Sequence, residues 1–254
     1  MFGPNQRLLE YSETSFLDYC KLSNPDELFK ECESLNFQYR PKIEGTTSRC
    51  NRDIIVLSDV APGYHLSKQS NYELPSQPMP KYFKDLLDKI NEHFKEDYNL
   101  FLINCYEDHN DSISAHYDDK YGNGSWGVVT ISLGSTREYQ MIDKNTNSIE
   151  VAFQMRHGDV LTMSNDLQKT HLHAVPPSKI PCGKRISITT RHIVPERDFK
   201  KVCFEKCLIC RKITKMKSKV CWDCYPLNKF NCPVCFQPTG APWLCDICWK
   251  SNTK

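Results

Sequence analysis

A mainly β fold with flanking helices, followed by a small metal-binding module, is the class this sequence predicts. Three observations lead there: strand periodicity sustained for almost a hundred residues from position 99, two amphipathic helical stretches before it, and a concentration of cysteines after it. The 254 residues, 39% hydrophobic and 25% charged, suit one medium domain with an appendage. No stretch approaches the roughly 20 apolar residues of a membrane span, and the opening MFGPNQRLLEYSETS lacks the order of a signal peptide. The expectation is an intracellular protein, nuclear or cytoplasmic, monomeric and without a membrane partner.

In chain order, residues 1–49 read as a helical extension. Asn24 is placed to cap, Pro25 suits the first helical turn, Glu27 completes a capping box, and Leu28, Cys32 and Leu35 share a face. Residues 50–98 read as short strands or a lid, which holds Tyr64 and Tyr72, followed by a supporting helix. That helix runs from near Pro80 to about Lys95, with Tyr82, Phe83, Leu86, Leu87, Ile90 and Phe94 forming its apolar stripe. Residues 99–199 hold the runs NLFLINCY, GVVTISLG, REYQMI, EVAFQM, DVLTMS and RISITTRHI. Short strands so close together, without helices between them, predict an antiparallel sandwich or barrel.

Within this region His116 and Asp118 stand two apart, so an extended chain would point both to one face, and His173 is available from another strand. Two imidazoles and a carboxylate on one side of an ion leave other positions open, as ferrous iron and oxygen chemistry require. Arg185, Ser187, Thr189 and Arg191 alternate with Ile186, Ile188 and Thr190. Burying two guanidiniums in a barrel needs an anion, whereas a solvent-facing strand would leave them free. The arginine Cα atoms would lie about 20 Å apart, which fits a dicarboxylate better than a monoanion.

Six ordered elements, NxY (Asn104, Tyr106), HxD (His116, Asp118), ISLG (131–134), HGDVLTMS (157–164), HAVP (173–176) and RxSxTxR (185–191), resemble the AlkB-type iron(II)- and 2-oxoglutarate-dependent dioxygenases. The resemblance spans about residues 50–193 and implies a double-stranded β-helix, a distorted jelly roll. It implies His116, Asp118 and His173 as iron ligands, with His171 a rival for the third place. It further implies Arg185 at the distal carboxylate of 2-oxoglutarate, Arg191 near the metal-bound end, and Asn104 and Tyr106 as further hydrogen-bond partners. Oxygen is the other co-substrate. The implied reaction turns 2-oxoglutarate into succinate and carbon dioxide while an N-methyl group on a base is hydroxylated and lost as formaldehyde.

For the substrate, Asp119 resembles the acid that meets a flipped base and Tyr64 an aromatic of the lid. Arg52 keeps the arginine of a Pro–Arg pair in which Asn51 replaces the proline. A further departure is Lys120, where the family has an acid after the aspartate pair. The implied partner is DNA or RNA carrying lesions such as 1-methyladenine or 3-methylcytosine, extruded because the damaged atom is otherwise out of reach.

Nine of the 14 cysteines lie within residues 203–254. Eight of them form four CxxC pairs: Cys207 with Cys210, Cys221 with Cys224, Cys232 with Cys235, and Cys245 with Cys248. These predict two structural zinc ions in a module over residues 200–254, paired sequentially or as a cross-brace. An iron–sulfur cluster is the competing use of these thiolates. Eleven basic residues against three acidic ones give this tail +8, and the total of +2 leaves −6 for residues 1–199. Two tetrathiolate zinc sites would trim the tail to about +4. Trp222, Tyr225, Phe230, Trp243 and Trp249 stand among the tail's cysteines and lysines, so the module suits a nucleic-acid backbone or a protein partner. Two other functions compete: a 2-oxoglutarate-dependent hydroxylase of protein, and a non-catalytic zinc adaptor on a relic barrel.

Overall fold

The structure is a computed structural model, and it describes residues 2–13, 15–37, 40, 50–60, 63–65, 73–118 and 127–193. The chain divides into the units Met1–Ile193 and Val194–Lys254, and every described residue belongs to the first. Several sequence expectations fall outside the described residues. Tyr72, Asp119 and Lys120 are among them, as are the zinc ligands expected at Cys207, Cys210, Cys221, Cys224, Cys232, Cys235, Cys245 and Cys248.

The N-terminal segment departs from expectation. It opens with a hairpin, β1 (Gln6–Ser12) and β2 (Ser15–Lys21), and only then forms the predicted helix, α1 (Pro25–Glu33). Alternation explains the correction. Leu17 is buried against one apolar cluster and Cys20 against the opposite one, so β2 is a two-faced strand rather than part of a helical extension. Pro25 does open α1, but the Asn24 side chain makes no capping hydrogen bond, and the expected capping box is not formed.

The next segment contains β3 (Asp53–Leu57), β4 (Gly63–His65) and β5 (Glu73–Gln77), then α2 (Lys81–Phe94). Lys95 closes α2 in a left-handed conformation with φ 57°. The remaining strands are β6 (Leu100–Tyr106), β7 (Ile113–His116), β8 (Val128–Gly134), β9 (Arg137–Asp143), β10 (Ile149–Met155) and β11 (Asp159–Met163). A short helix α3 (Leu167–Thr170) precedes β12 (His171–Val175) and β13 (Arg185–Arg191).

These strands build two sheets. The larger has the order β1-β2-β11-β8-β13-β6-β3-β5-β4 and the smaller β10-β9-β12-β7. All pairings are antiparallel except that of β3 with β5, which is parallel. On the outer face of the large sheet, Leu28 and Cys32 of α1 and Phe83, Leu86, Leu87 and Ile90 of α2 pack against Ile103, Ile131, Ile186 and Ile188. Between the sheets, Leu17, Tyr106, Leu161 and Met163 meet Tyr139, Met141, Met155 and Val175 from the smaller one. Two sheets sharing one apolar interior are the expected jelly roll.

This architecture buries β13 on both faces. Its isoleucines turn to the helices, and Arg185, Ser187, Thr189 and Arg191 turn to the interior, which removes the solvent-facing alternative. Gly134 lies opposite Arg185 at the end of β8 with φ +81°, and a Cβ there would meet the carbonyl oxygen of Lys184 at 2.5 Å. Glycine at this position lets β8 and β13 close together where Arg185 enters the core.

Candidate metal centre and anion pocket

His173 and His116 are directly opposite one another on β12 and β7, so the sheet itself brings the two imidazoles together, with ring centroids 4.2 Å apart. Asp118 follows the end of β7 and is not on the strand as the HxD spacing implied. It still reaches the same point: His116 Nε2 lies 3.7 Å from its Oδ1 and His173 Nε2 3.4 Å from its Oδ2. The donor atoms of the three side chains all fall within 4.8 Å of one another. His116 Nδ1 lies 2.8 Å from the carbonyl oxygen of Ser114, which assigns the proton to Nδ1 and leaves the Nε2 lone pair for a metal.

Electrostatics favour the metal-ready protonation states. Burial alone would raise Asp118, but the Arg191 guanidinium, whose Nη2 sits 2.7 Å from Oδ1, and then His173 hold it well below the usual carboxylate range. Burial, helped by His173, pushes His116 down to about 3, so its imidazole is neutral near pH 7. Tyr139 stacks on His173 at 5.7 Å with the rings 5° from parallel.

Arg185 is in a different condition. It is fully buried, its Nε donates to Ser132 Oγ at 3.0 Å, and its Nη1 has no hydrogen-bond partner among the described residues. The guanidinium lies 5.1 Å from the Tyr106 ring centroid. A buried cation with an unanswered N–H, and no carboxylate paired with it among the described residues, fits an incoming carboxylate. A donor set of two imidazoles and one carboxylate likewise fits a ferrous ion.

The other predicted residues are placed as follows. Asn104 is buried, and its Oδ1 accepts from Arg52 Nε at 2.7 Å, so Arg52 meets a side chain of the nominated co-substrate pocket. Tyr64 is buried with Ile54, Val56, Leu74, Leu100 and Leu102, and its hydroxyl faces Arg191 Nε at 3.4 Å. His171 turns to Glu150 at 2.6 Å and is not part of the triad.

Two residues escaped sequence reasoning. Gln168 of α3 accepts from the Asp118 backbone N–H at 2.6 Å through its Oε1. Arg137 is 1% exposed and donates to the carbonyls of Asp108, Asp111 and Pro176, which ties together the chain segments leading into β7 and out of β12. A lone glutamine and a lone arginine carry no spacing signal; only the fold reveals them.

Comparison with known proteins follows this geometry. The chain is 30% identical to Alpha-ketoglutarate-dependent dioxygenase alkB homolog 3 of Rattus norvegicus over 120 residues, which is 44% of this chain and 41% of that protein. It is 25% identical to DNA oxidative demethylase ALKBH2 of Bos taurus over 185 residues, 67% of this chain and 65% of that protein. It thus spans less than two thirds of the length of either relative. The solved structure of OsALKBH1 is 19% identical with a TM-score of 0.49, covering 72% of this chain and 100% of that one. The profile of the 2OG-Fe(II) oxygenase superfamily matches residues 16–191, well over half of the sequence, and the chain belongs to that superfamily.

Proposed function

We propose that this protein is an iron(II)- and 2-oxoglutarate-dependent dioxygenase that removes alkyl groups from nitrogen atoms of bases in DNA or RNA. The observation that carries the reading is the contrast on β13: Arg191 is already paired with a ligand carboxylate, while Arg185, equally buried, has a free Nη1. His116, Asp118 and His173 would hold the iron, and Arg185 the distal carboxylate of 2-oxoglutarate, with Asn104 and Tyr106 lining its pocket. When bound, iron and 2-oxoglutarate supply an oxidation that hydroxylates a substrate methyl group at the cost of decarboxylating the co-substrate.

The chain's own residues orient and shield. Arg191 and Gln168 fix Asp118 from two directions, one at its carboxylate and one at its backbone N–H. The Ser114 carbonyl sets the tautomer of His116, and Tyr139 packs flat on His173 and keeps water from that face. Arg185 offers a planar pair of donors for a carboxylate, which a lysine would not match.

The curated relatives bear the names of an alpha-ketoglutarate-dependent dioxygenase and a DNA oxidative demethylase, which supports nucleic acid as the substrate class. Asp119 and Tyr64 are the residues proposed to face the base. The eight tail cysteines are proposed to hold two zinc ions, and the positive charge there to prolong residence on the polyanion. Anaerobic loading with iron and 2-oxoglutarate, then oxygen and a panel of methylated DNA and RNA oligomers, tests the proposal by mass spectrometry. Loss of a methyl group with matching formaldehyde and succinate is expected. Turnover of methylated peptide, with oligonucleotides untouched, would overturn it.

A further inference from the structure

The turn between β9 and β10 sends one long side chain back toward the metal centre. Its sequence, DKNTNS (143–148), is made of turn-forming residues around a single lysine. Asp143 Oδ1 accepts the backbone N–H groups of Asn145 and Thr146, both at 2.8 Å, and the Asn147 N–H closes on the Asp143 carbonyl at 2.8 Å. Asn147 takes the left-handed φ of 54° that this closure requires. The turn is thus fixed by its own hydrogen bonds, and Lys144 leaves it from a set place beside β12.

Lys144 completes α3. That helix is four residues long, a single turn, so its carbonyls look outside it for donors. Leu167 is answered by the chain that follows, through the His171 N–H and the Thr170 hydroxyl at 3.1 Å. Lys144 answers the other three. Its Nζ donates to the carbonyls of Gln168 and Lys169, the latter at 3.1 Å, and its backbone N–H donates to that of Thr170 at 2.9 Å. The same ammonium lies 3.9 Å from the centroid of the Tyr117 ring. Both contacts bear on Asp118: Tyr117 precedes it in the chain, and Gln168 accepts its backbone N–H at 2.6 Å.

We propose that Lys144 is a positioning residue of the metal centre: its ammonium clamps α3 and Tyr117 together and so sets the backbone from which Asp118 reaches the ion. One helical turn does not hold its shape unaided, because fixing its residues costs more than its hydrogen bonding returns. Without the ammonium, the Gln168 and Lys169 carbonyls lose their donor, α3 loses the cation that suits its C-terminal end, and the Gln168 amide loses its seat. The Tyr117 ring loses its cation in the same event. Lys144 itself touches neither iron nor co-substrate. Its effect on metal binding rests on the role proposed above for Asp118, whereas the clamp does not.

The test follows hydrogen exchange of the Asp118 N–H in the full chain before iron loading, read residue by residue by mass spectrometry, and then titrates manganese(II) by calorimetry. Manganese suits carboxylate and imidazole donors and competes poorly for thiolates, so the tail cysteines do not contribute. Lys144→Met is expected to speed exchange at Asp118 about tenfold while β6, β8 and β13 keep the parent's rates, and to weaken manganese roughly tenfold. Lys144→Arg, which keeps the charge and the donors, should restore both. Tyr117→Leu removes only the ring under the ammonium; it serves if Lys144→Met folds poorly, and should also speed exchange at Asp118. Parental exchange at Asp118 in these variants would overturn the clamp, as would an equal acceleration in β6, β8 and β13 or a failure of Lys144→Arg to restore. Asp118→Ala separates the two readings. Manganese lost in Asp118→Ala but bound at parental strength by Lys144→Met would overturn the positioning role, while manganese untouched by Asp118→Ala, with the Asp118 N–H still freed in Lys144→Met, would remove the iron triad and leave the clamp standing.

Discussion

Strand β12 carries two histidines that meet two unlike carboxylates. His173 joins Asp118 in the interior, where Asp118 is 9% exposed and its charge is matched by the buried guanidinium of Arg191. His171 joins Glu150 at the edge of the small sheet, where solvent and a tyrosine hydroxyl do the matching. The donors are the same, and the surroundings differ. An ionised carboxylate is kept inside only by a built counter-charge, whereas at the rim it is kept by water and hydrogen bonds from Tyr11 and His171. Removing the carboxylate should therefore be costly at one end of β12 and mild at the other.

The largest effect is expected from Asp118→Ala. Turnover should be lost, and in metal-free protein the Arg191 guanidinium becomes a buried charge without its counter-charge, at a cost of about 3–5 kcal/mol. Urea unfolding measures it; an unchanged midpoint would show that Arg191 finds other relief and that the counter-charge argument is wrong.

Arg185→Met sharpens the contrast from the other side. Because no carboxylate pairs with Arg185 among the described residues, its removal takes away an uncompensated buried charge, and metal-free stability should hold or rise. Binding of 2-oxoglutarate to the iron-loaded protein should nevertheless weaken at least about thirtyfold, as truncating one side of a buried charge pair does. A stability loss as large as that of Asp118→Ala, with co-substrate affinity unchanged, would assign Arg185 to structure.

A smaller effect is expected from Gln168→Leu. The Asp118 backbone N–H loses its acceptor, which costs about 1–3 kcal/mol, and iron affinity should fall roughly tenfold to a hundredfold through the loosened ligand. Metal titration with both ferrous iron and manganese follows this. Unaltered affinity would show that Arg191 alone positions Asp118.

Much of this was legible from residues alone. The helix at 81–94 and the strands β6, β8, β9, β10, β11 and β13 announce themselves by period. The iron triad and the two arginines were visible as spaced motifs. The hairpin β1–β2 was not, because its strands are seven residues each with charged positions mixed in, and only pairing of β2 with β11 makes them strands. Strands β7 and β12, four and five residues long, do not stand out by period, yet they carry His116 and His173. HxD spacing singles out side chains that do gather, but by an incomplete argument, since Asp118 lies past the strand and is held by Arg191 and Gln168. Arg137, Gln168 and Lys144 depend on contacts between distant segments, which single-sequence spacing does not encode.

The mildest change, Glu150→Gln, probes the rim end of β12. Its cost should stay below about 1 kcal/mol, because the Glu150 carboxylate is open to solvent. The pH dependence gives the sign. Glu150 is held below its ordinary value of 4.5 in the folded protein, so its contribution is fully present above that value and fades as pH falls through the lower folded-state value. The melting temperatures of the parent and Glu150→Gln should thus differ slightly at pH 7 and converge in acid. A gap that is the same at pH 7 and in acid would show that the charge of Glu150 does not stabilise the rim end of β12.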